Sequence, residues 1–289
     1  MTSRHFISRT PRGVTRRTFL TGAAAAATYA MLPSRPGAAQ SIDPFTYITA
    51  MDATTDVGQK VGQPASEVDP VAAGGWYWDA YIQLPIKEGQ DFHLSCEFDT
   101  AWIILMAYGF DVPLDEQLEI VGIDDSIEPW YEDNGDGTFT IYGGDINNYF
   151  CGHIDTNILA KCRCNAMRKV FEAKGLGTVM TPTREEIEAA LLRGEPVFFK
   201  STVDMLPWRP ATWHTTGGEQ YPVVLSNDHA LAVMGFNADE VIIRDPLGPT
   251  STNWERPWQW RVSWERFLEV IAAQGNDAMA ITPAPVDPA

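Results

Sequence analysis

The sequence predicts an α+β protein in which a buried helix packs on an antiparallel sheet. Residues 96–108 form an apolar run without a polar face that ends at Gly109, which is typical of a buried helix. Residues 183–194 predict a second helix, because Thr183 and Glu186 have the spacing of a capping box. The clearest strands, 229–236 and 240–245, come late and are joined by a short turn, which favours an antiparallel hairpin.

Residues 1–39 have the order of features found in a twin-arginine signal peptide. Arg16 and Arg17 precede a mildly apolar stretch, 22–32, and the small residues 37–39 resemble a cleavage site. The apolar stretch is too short and too rich in alanine to span a bilayer. We therefore expect export by the twin-arginine machinery to the periplasm or the exterior. Residues 40–75 are then a linker or extended arm, and residues 76–289 one folded domain.

The charge of the remaining chain excludes some partners. Six of the 21 basic residues and none of the 38 acidic residues lie in residues 1–39, so removal of this segment leaves a net charge of −23. Nucleic acids and anionic lipids attract basic surfaces and repel acidic ones. We expect neither nucleic-acid binding nor stable membrane association.

Further elements follow from local patterns. Helices are expected over 113–121, 162–174 and 263–274, with glycines or turn residues at their ends. Residues 134–144 predict a turn, a strand and a second turn, and residues 197–201 predict another strand. Residues 207–222, rich in Trp, Pro and Gly, are expected to form a loop.

The four cysteines divide into one isolated residue, Cys96, and a group formed by Cys151, Cys162 and Cys164. Export permits a disulfide, and Cys151 with either Cys162 or Cys164 would close a short loop. A zinc site that adds His153 to these three cysteines is an alternative, but the spacing lacks the two-residue knuckle of most zinc sites. We expect neither a metal nor a cofactor.

Cys96 is a candidate nucleophile because of its position. It stands in the first turn of the predicted buried helix, where backbone N–H groups and the helix dipole favour an anion. Such a site lowers the pKa of a thiol and favours the reactive thiolate. The alternative is that Cys96 is only a small buried apolar side chain.

His229 and Asp245 are its candidate partners. His229 opens the strand 229–236, and Asp245 closes the following strand. With a three-residue turn, Phe236 opposes Glu240 and His229 opposes Leu247, so Asp245 is a diagonal neighbour of His229 on the same face. A carboxylate there would fix the tautomer of the imidazole and stabilise its protonated form.

Several blocks of the sequence resemble one family of enzymes, the bacteriocin-processing (double-glycine leader) peptidases, and in particular their exported, stand-alone, papain-like relatives. The resemblance covers about residues 76–282. In those relatives a Cys-Glu pair opens an apolar helix that ends in Tyr-Gly, a His-Ala pair opens a strand that closes in Gly-aromatic, and Asp-Pro follows. The matching residues are Cys96-Glu97, Tyr108-Gly109, His229-Ala230, Gly235-Phe236 and Asp245-Pro246.

The resemblance implies a papain-like peptidase domain over 76–289 and a role for each candidate residue. Cys96 would be the nucleophile, His229 the general base and then acid, and Asp245 the residue that orients it. The resemblance also implies a glutamine upstream of Cys96 that donates a hydrogen bond to the oxyanion. Gln83 is the preferred candidate, and Gln90, nearer in sequence, is the alternative.

Two residues depart from the family pattern. Thr100 replaces the usual Ser four residues after the cysteine and keeps the hydroxyl. Asp99 is unusual, because a second anion near Cys96 would raise the thiol pKa if it faced the site.

The leading interpretation is a thiol hydrolase that cleaves a peptide or amide bond in a peptide or protein substrate. The alternatives are a cell-wall peptide hydrolase and a non-catalytic binding or scaffold protein on the same fold. Six late tryptophans flank the proposed site, and we expect them to pack loops over the sheet rather than to grip a ligand. They are Trp208, Trp213, Trp254, Trp258, Trp260 and Trp264.

Overall fold

The computed structural model describes the backbone of residues 63–64 and the residues 78–206, 208–247 and 258–283. The predicted signal peptide lies outside the described residues, as does the predicted linker apart from Gln63–Pro64, and both stay predictions. Among the described helices, none is both long and apolar enough to cross a bilayer.

Helices and strands alternate irregularly along the described chain. The helices are α1 Cys96–Ala107, α2 Leu114–Val121, α3 Cys164–Ala173, α4 Arg184–Leu192 and α5 Trp264–Ala273. The first seven strands are β1 Gln63–Pro64, β2 Ala80–Tyr81, β3 Ile123–Asp124, β4 Trp130–Asp133, β5 Phe139–Gly143, β6 Phe150–Cys151 and β7 Gly177–Met180. The others are β8 Val197–Thr202, β9 Pro210–Thr215, β10 Gln220–Val224, β11 Asp228–Phe236, β12 Glu240–Arg244, β13 Gln259–Ser263 and β14 Ala278–Thr282.

The main sheet has eight strands in the order β1-β13-β12-β11-β8-β14-β7, and β2 also pairs with β11. Every pairing within it is antiparallel. The predicted α+β class with an antiparallel sheet is therefore confirmed. The helix caps also form as the sequence indicates, since the Thr183 side chain accepts from the N–H of Glu186 in a complete capping box.

The two faces of β11 explain how the sheet is sandwiched between helices. Ala230, Ala232 and Met234 lie in the core cluster that contains α1, α2 and α3. Leu231 and Val233 lie in the opposite cluster, with α4 and α5. Because successive side chains of a strand point to opposite faces, a continuous apolar strand predicts burial on both sides. The small side chains of Ala230 and Ala232 let α1 lie close to the sheet.

The β11–β12 hairpin keeps the predicted register at the end that matters for function. Near the turn Phe236 opposes Val241, one residue away from the prediction. An irregularity between Val233 and Gly235 removes the offset, and Ala232 then opposes Arg244, as the prediction requires. A β-bulge of this kind inserts one extra residue on one strand. The strands are therefore back in the predicted register at this pair, which lies between the turn and the end of the hairpin that carries His229 and Asp245.

The expectation of a loop over 207–222 is wrong for most of that segment. Residues 210–215 and 220–224 form β9 and β10, which join β5 and β4 in a second sheet of four strands. Trp213 is fully buried and donates from Nε1 to the carbonyl of Gly144 at 3.0 Å. The alternation of Ala211, Trp213 and Thr215 inward carries the strand signal, which the Pro and Gly content obscured.

Candidate active site

Cys96 is the first residue of α1 and is 7% exposed. One turn further along, the Thr100 hydroxyl donates to the carbonyl of Ala230 at 2.9 Å. Ala230 follows His229 on β11, so this single buried bond fixes the start of α1 against the strand that carries the histidine. The hydroxyl that Thr100 shares with the usual Ser therefore has a structural use.

His229 and Asp245 form the pair that the hairpin register predicts. The His229 Nε2 atom lies 2.9 Å from Asp245 Oδ1, and both side chains are buried. Asp245 also accepts from the N–H of Leu247 at 2.9 Å and from Nε1 of Trp260 at 3.2 Å. Since these donors fix the carboxylate, it holds the imidazole by Nε2 and leaves Nδ1 as the nitrogen that can exchange a proton.

Cys96 and His229 line the same cavity, whose volume is about 460 Å³. Its walls come from the segment before α1, from 155–160 and from the start of β11. Apolar contributions come from Phe92, Leu94, Ile158, Ala160, Val203 and Leu247, and carboxylates from Asp91, Asp155 and Asp228. The volume falls within the range of ordinary ligand pockets.

The same cavity distinguishes the two candidate glutamines. Gln90 lines it beside Cys96 and His229, whereas Gln83 is exposed and does not line it. The preference for Gln83 stays a prediction without support from this placement. The available sequence signal for Gln90 is its shorter distance from Cys96 along the chain.

Asp99 does not face the sulfur. Its carboxylate accepts from the Ser95 hydroxyl at 2.5 Å and from the N–H of Asp91 at 3.3 and 3.4 Å, and it lies 3.3 Å from Lys87 Nζ. It thus fastens the segment 87–95, which carries Gln90, to the first turn of α1. Burial raises the pKa of Asp99 to about 6, although Ser95 and Lys87 oppose the shift.

The carboxylate that does contact the sulfur belongs to Glu97. The Cys96 thiol donates to Glu97 Oε2 at 3.2 Å. Burial, and then the negative charge of Glu97, raise the pKa of the thiol well above its usual range. The helix N-terminus was expected to favour the thiolate. Two effects oppose the influence of the dipole on the thiol, namely loss of solvent and a like charge in contact.

A network of buried charged groups surrounds Glu97 and escaped the sequence-based prediction. Lys200 Nζ binds Glu97 Oε1 and also lies 3.0 Å from Asp228 Oδ2. Lys161 Nζ lies 3.3 Å from the same Asp228 oxygen and donates to the carbonyl of Val224 at 2.9 Å. Burial alone would raise the pKa of Asp228, but Lys161 and Lys200 hold it below its usual value. A lysine inside an apolar strand and an acid inside an apolar helix were the available signals.

The four cysteines are all free and buried. Neither alternative for a disulfide of Cys151 is therefore formed. The Cys164 thiol donates to the carbonyl of Asp277 at 3.2 Å, and Cys162 forms no disulfide. Across the described ranges, no group of three or more His, Cys, Asp and Glu side chains is placed to hold a metal ion.

The tryptophans serve mainly the cores. Trp213, Trp260 and Trp264 are buried, in the clusters of the second sheet and of the face that carries α4 and α5. Trp208 and Trp258 are half-buried, and Trp254 lies outside the described residues. None of the described tryptophans lines the cavity that contains Cys96. This supports the prediction that they pack rather than grip a ligand.

Comparison with known proteins gives a similarity that concerns the fold. No protein-family model matches the chain, and no curated protein matches it. Among solved structures, the chain is similar to the crystal structure of a Bacillus anthracis protein that is named a C39-like peptidase. The TM-score is 0.54 at 18% identity, and the match covers 71% of this chain and 98% of that one. At this identity the similarity establishes that the chain has the fold of a C39-like peptidase.

Proposed function

We propose that the protein is an exported cysteine peptidase that cleaves a peptide or amide bond in a peptide or protein substrate. The observation that carries the proposal is that Cys96 and His229, which is paired with Asp245, line one cavity, although the two residues lie 133 positions apart in sequence. The fold, which is that of a C39-like peptidase, supports the same reaction class. Export rests on residues 1–39 alone.

The proposed reaction passes through an acyl-enzyme. His229 Nδ1 takes the Cys96 proton, and the thiolate attacks the carbonyl carbon of the scissile bond. The oxyanion that forms accepts hydrogen bonds from the Cys96 backbone N–H and from the Gln90 side chain, each worth about 3 kcal/mol in the transition state. His229 then returns the proton to the leaving amine, and water hydrolyses the thioester by the reverse sequence.

Asp245 and Trp260 contribute by position. Asp245 accepts from Nε2 of His229, which stabilises the imidazolium after proton transfer. Trp260 and the Leu247 N–H keep the carboxylate in place. Burial of the pair excludes water, so its electrostatic effect is larger than it would be at the surface.

A non-catalytic binding protein on this fold is the second candidate, and one observation favours it. The thiol of Cys96 donates to Glu97, and its raised pKa keeps the sulfur protonated in the free protein. A sulfur that stays protonated with ligand bound would make the cavity a binding site only. The two candidates differ in whether Cys96→Ala abolishes turnover or merely alters affinity.

Hydrolysis of a panel of peptides and cell-wall muropeptides by the purified protein tests the proposal. We expect cleavage that is lost on Cys96→Ala and retained on Cys164→Ala, a matched change at a buried cysteine away from the cavity. A trapped thioester on Cys96, seen as a mass increase, would establish the acyl-enzyme. Equal activity of the Cys96→Ala variant and the unmodified protein would disprove the proposal.

A further inference from the structure

The hydrogen bond of the nucleophile is unusual for a cysteine that must become a thiolate. Cys96 Sγ lies 3.2 Å from Glu97 Oε2, and Glu97 is 1% exposed. In a buried site with little water, a charge in contact with an ionisable group has a larger effect than at the surface. The carboxylate therefore stabilises the protonated sulfur and opposes its ionisation.

The two oxygens of Glu97 have different partners. Oε2 accepts the hydrogen bond of the Cys96 thiol, whereas Oε1 binds Lys200 Nζ and accepts from the N–H of Cys162 at 3.4 Å. The bonds to Oε1 fix the orientation of the carboxylate. Consequently Glu97 cannot turn away from the sulfur without breaking a buried ion pair.

Lys200 is placed to oppose Glu97. It lies on β8 opposite Ala230, the residue after His229, and its side chain is 4% exposed. Burial lowers its pKa, but Asp228 and Glu97 outweigh this effect and hold the pKa well above its usual value. Lys200 is therefore positively charged, and its charge favours a thiolate at Cys96.

We propose that Glu97 and Lys200 form a positioning pair that controls the protonation of Cys96: Glu97 keeps the proton on the sulfur, and Lys200 limits that effect so that His229 can remove it. The inference rests on the proposed role of Cys96 as nucleophile. It predicts that Glu97 and Lys200 have opposite effects on the ionisation of the Cys96 thiol. A purely structural ion pair would have no such opposite effects.

Other charged and titratable groups face Cys96 from every element packed around it. Asp228 and His229 lie on β11, Asp91 and His93 lie in the segment before α1, and Asp155 lies across the cavity. Asp228 also raises the thiol pKa, but less than Glu97. Lys161 shares Asp228 with Lys200 and has no hydrogen bond to Glu97. Lys161 is therefore a matched control: a second buried lysine on the same network that does not contact the carboxylate beside the sulfur.

The test is the alkylation rate of Cys96 by iodoacetamide, read by peptide mapping because three other cysteines are present. Below the thiol pKa the rate is proportional to the thiolate fraction, so a pKa change of about one unit alters it about tenfold at fixed pH. At pH 7.5 we expect Glu97→Gln to react at least about tenfold faster than the unmodified protein. Lys200→Met should react at least about tenfold slower, and Lys161→Met within about threefold.

The outcomes separate this inference from the proposed function, because alkylation needs no substrate. A Glu97→Gln variant that reacts no faster would overturn the inference, as would equal slowing by Lys200→Met and Lys161→Met. If the lysine variants fail to fold, the Glu97→Gln result alone decides. Alkylation that follows the expected order in a protein without hydrolytic activity would keep the inference and remove the peptidase. Hydrolysis by a protein whose alkylation rate is unaffected by Glu97→Gln would support the peptidase and reject the inference.

Discussion

The two halves of the candidate active site are built in opposite ways. On the strand half, the Asp245 carboxylate accepts three hydrogen bonds, one of them from His229, and is ready to stabilise a protonated imidazole. On the helix half, the Cys96 thiol donates to Glu97, beside a buried network of two lysines and two acids. The proposed base, His229, therefore has a partner for its protonated form, whereas the proposed nucleophile, Cys96, is held as the protonated thiol.

The difference suggests a site of regulation: in the free protein, the group whose protonation can be changed is the Cys96 thiol, the proposed nucleophile. A carboxylate fixed by neutral donors stabilises one state of its partner, whereas a carboxylate paired with a lysine can be adjusted by moving that lysine. Because Cys96 and His229 line the same cavity, a substrate bound there would lie against both residues. We infer that substrate binding is accompanied by transfer of the thiol proton from Cys96, where it is hydrogen-bonded to Glu97, to His229.

The largest expected effect breaks the strand half alone. In Asp245→Ala the imidazole loses its orienting partner, so kcat/KM should fall about 10²–10⁴-fold. Alkylation of Cys96 at pH 7.5 should change less than about threefold, because the resting thiol is bonded to Glu97 and not to His229. Parallel measurement of peptide hydrolysis and alkylation checks this. Equal losses in the two assays would mean that His229, not Glu97, sets the protonation of the thiol.

The next effect concerns the oxyanion. Gln90→Ala should lower kcat about 10²–10³-fold with little change in KM, because its side chain is proposed to act only in the transition state. Gln83→Ala is the matched control, since Gln83 is exposed and does not line the cavity. Steady-state kinetics of both variants decides between them. A loss confined to Gln83→Ala would restore the original preference.

The sequence predicted the strand half well because its information is local. His229 and Asp245 follow from the hairpin, and the pairing of β11 with β12 keeps the required register near the site. Helices α1, α2, α3, α4 and α5 all lie within the predicted ranges, because their caps and glycines are read within a few residues. The family resemblance joined Cys96 to this hairpin, which local patterns cannot do.

The helix half was not predictable in the same way. Lys161, Lys200 and Asp228 come from three distant parts of the chain, and only the packed fold shows that they form one network, which Lys200 joins to Glu97. Asp99 was suspected because it lies three residues after Cys96, yet the helix turns its side chain to the segment 87–95. Glu97, the immediate neighbour, folds back to the sulfur. Side-chain direction, which depends on tertiary contacts, decided between the two acids.

A smaller effect tests how the helix half is fastened to the segment that carries Gln90. The pKa of Asp99 is raised to about 6, so the folded protein binds its proton more tightly than the unfolded chain does. The stabilising contribution of the protonated form is present below about pH 4 and is lost as the pH rises through 6. Between pH 4 and 7 the loss amounts to about 2 kcal/mol for a shift of this size.

Urea denaturation of Asp99→Asn at pH 4 and at pH 7 measures this contribution. Relative to the unmodified protein, the variant should gain about 2–3 kcal/mol in unfolding free energy between the two pH values. Asp91→Asn is the control, because Asp91 also pairs with Lys87, at 2.7 Å, but is 49% exposed. Its pH dependence should change much less than that of Asp99→Asn, because the charge of Asp91 contributes to the raised pKa of Asp99 less than burial does. A pH-independent difference for Asp99→Asn would show that folding does not raise the pKa of Asp99.

The smallest effect returns to the strand half and asks whether the third hydrogen bond on Asp245 matters. Trp260→Phe keeps an aromatic ring at this buried position and removes the donor to Oδ2, so the carboxylate can rotate away from the imidazole. We expect kcat/KM to fall about five- to tenfold, equivalent to one hydrogen bond of about 1 kcal/mol. Trp264→Phe is the matched control, because Trp264 is also buried and donates once, to the carbonyl of Asn237 at 2.9 Å.

Both tryptophan variants should lose a similar unfolding free energy, since each removes one buried hydrogen bond. Only Trp260→Phe should alter kcat/KM, and the alkylation rate of Cys96 should be unchanged in both, because neither touches Glu97 or Lys200. This pattern would separate orientation of the base from protonation of the nucleophile. A faster or slower alkylation in Trp260→Phe would instead mean that the two halves are coupled in the free protein, before any substrate enters the cavity.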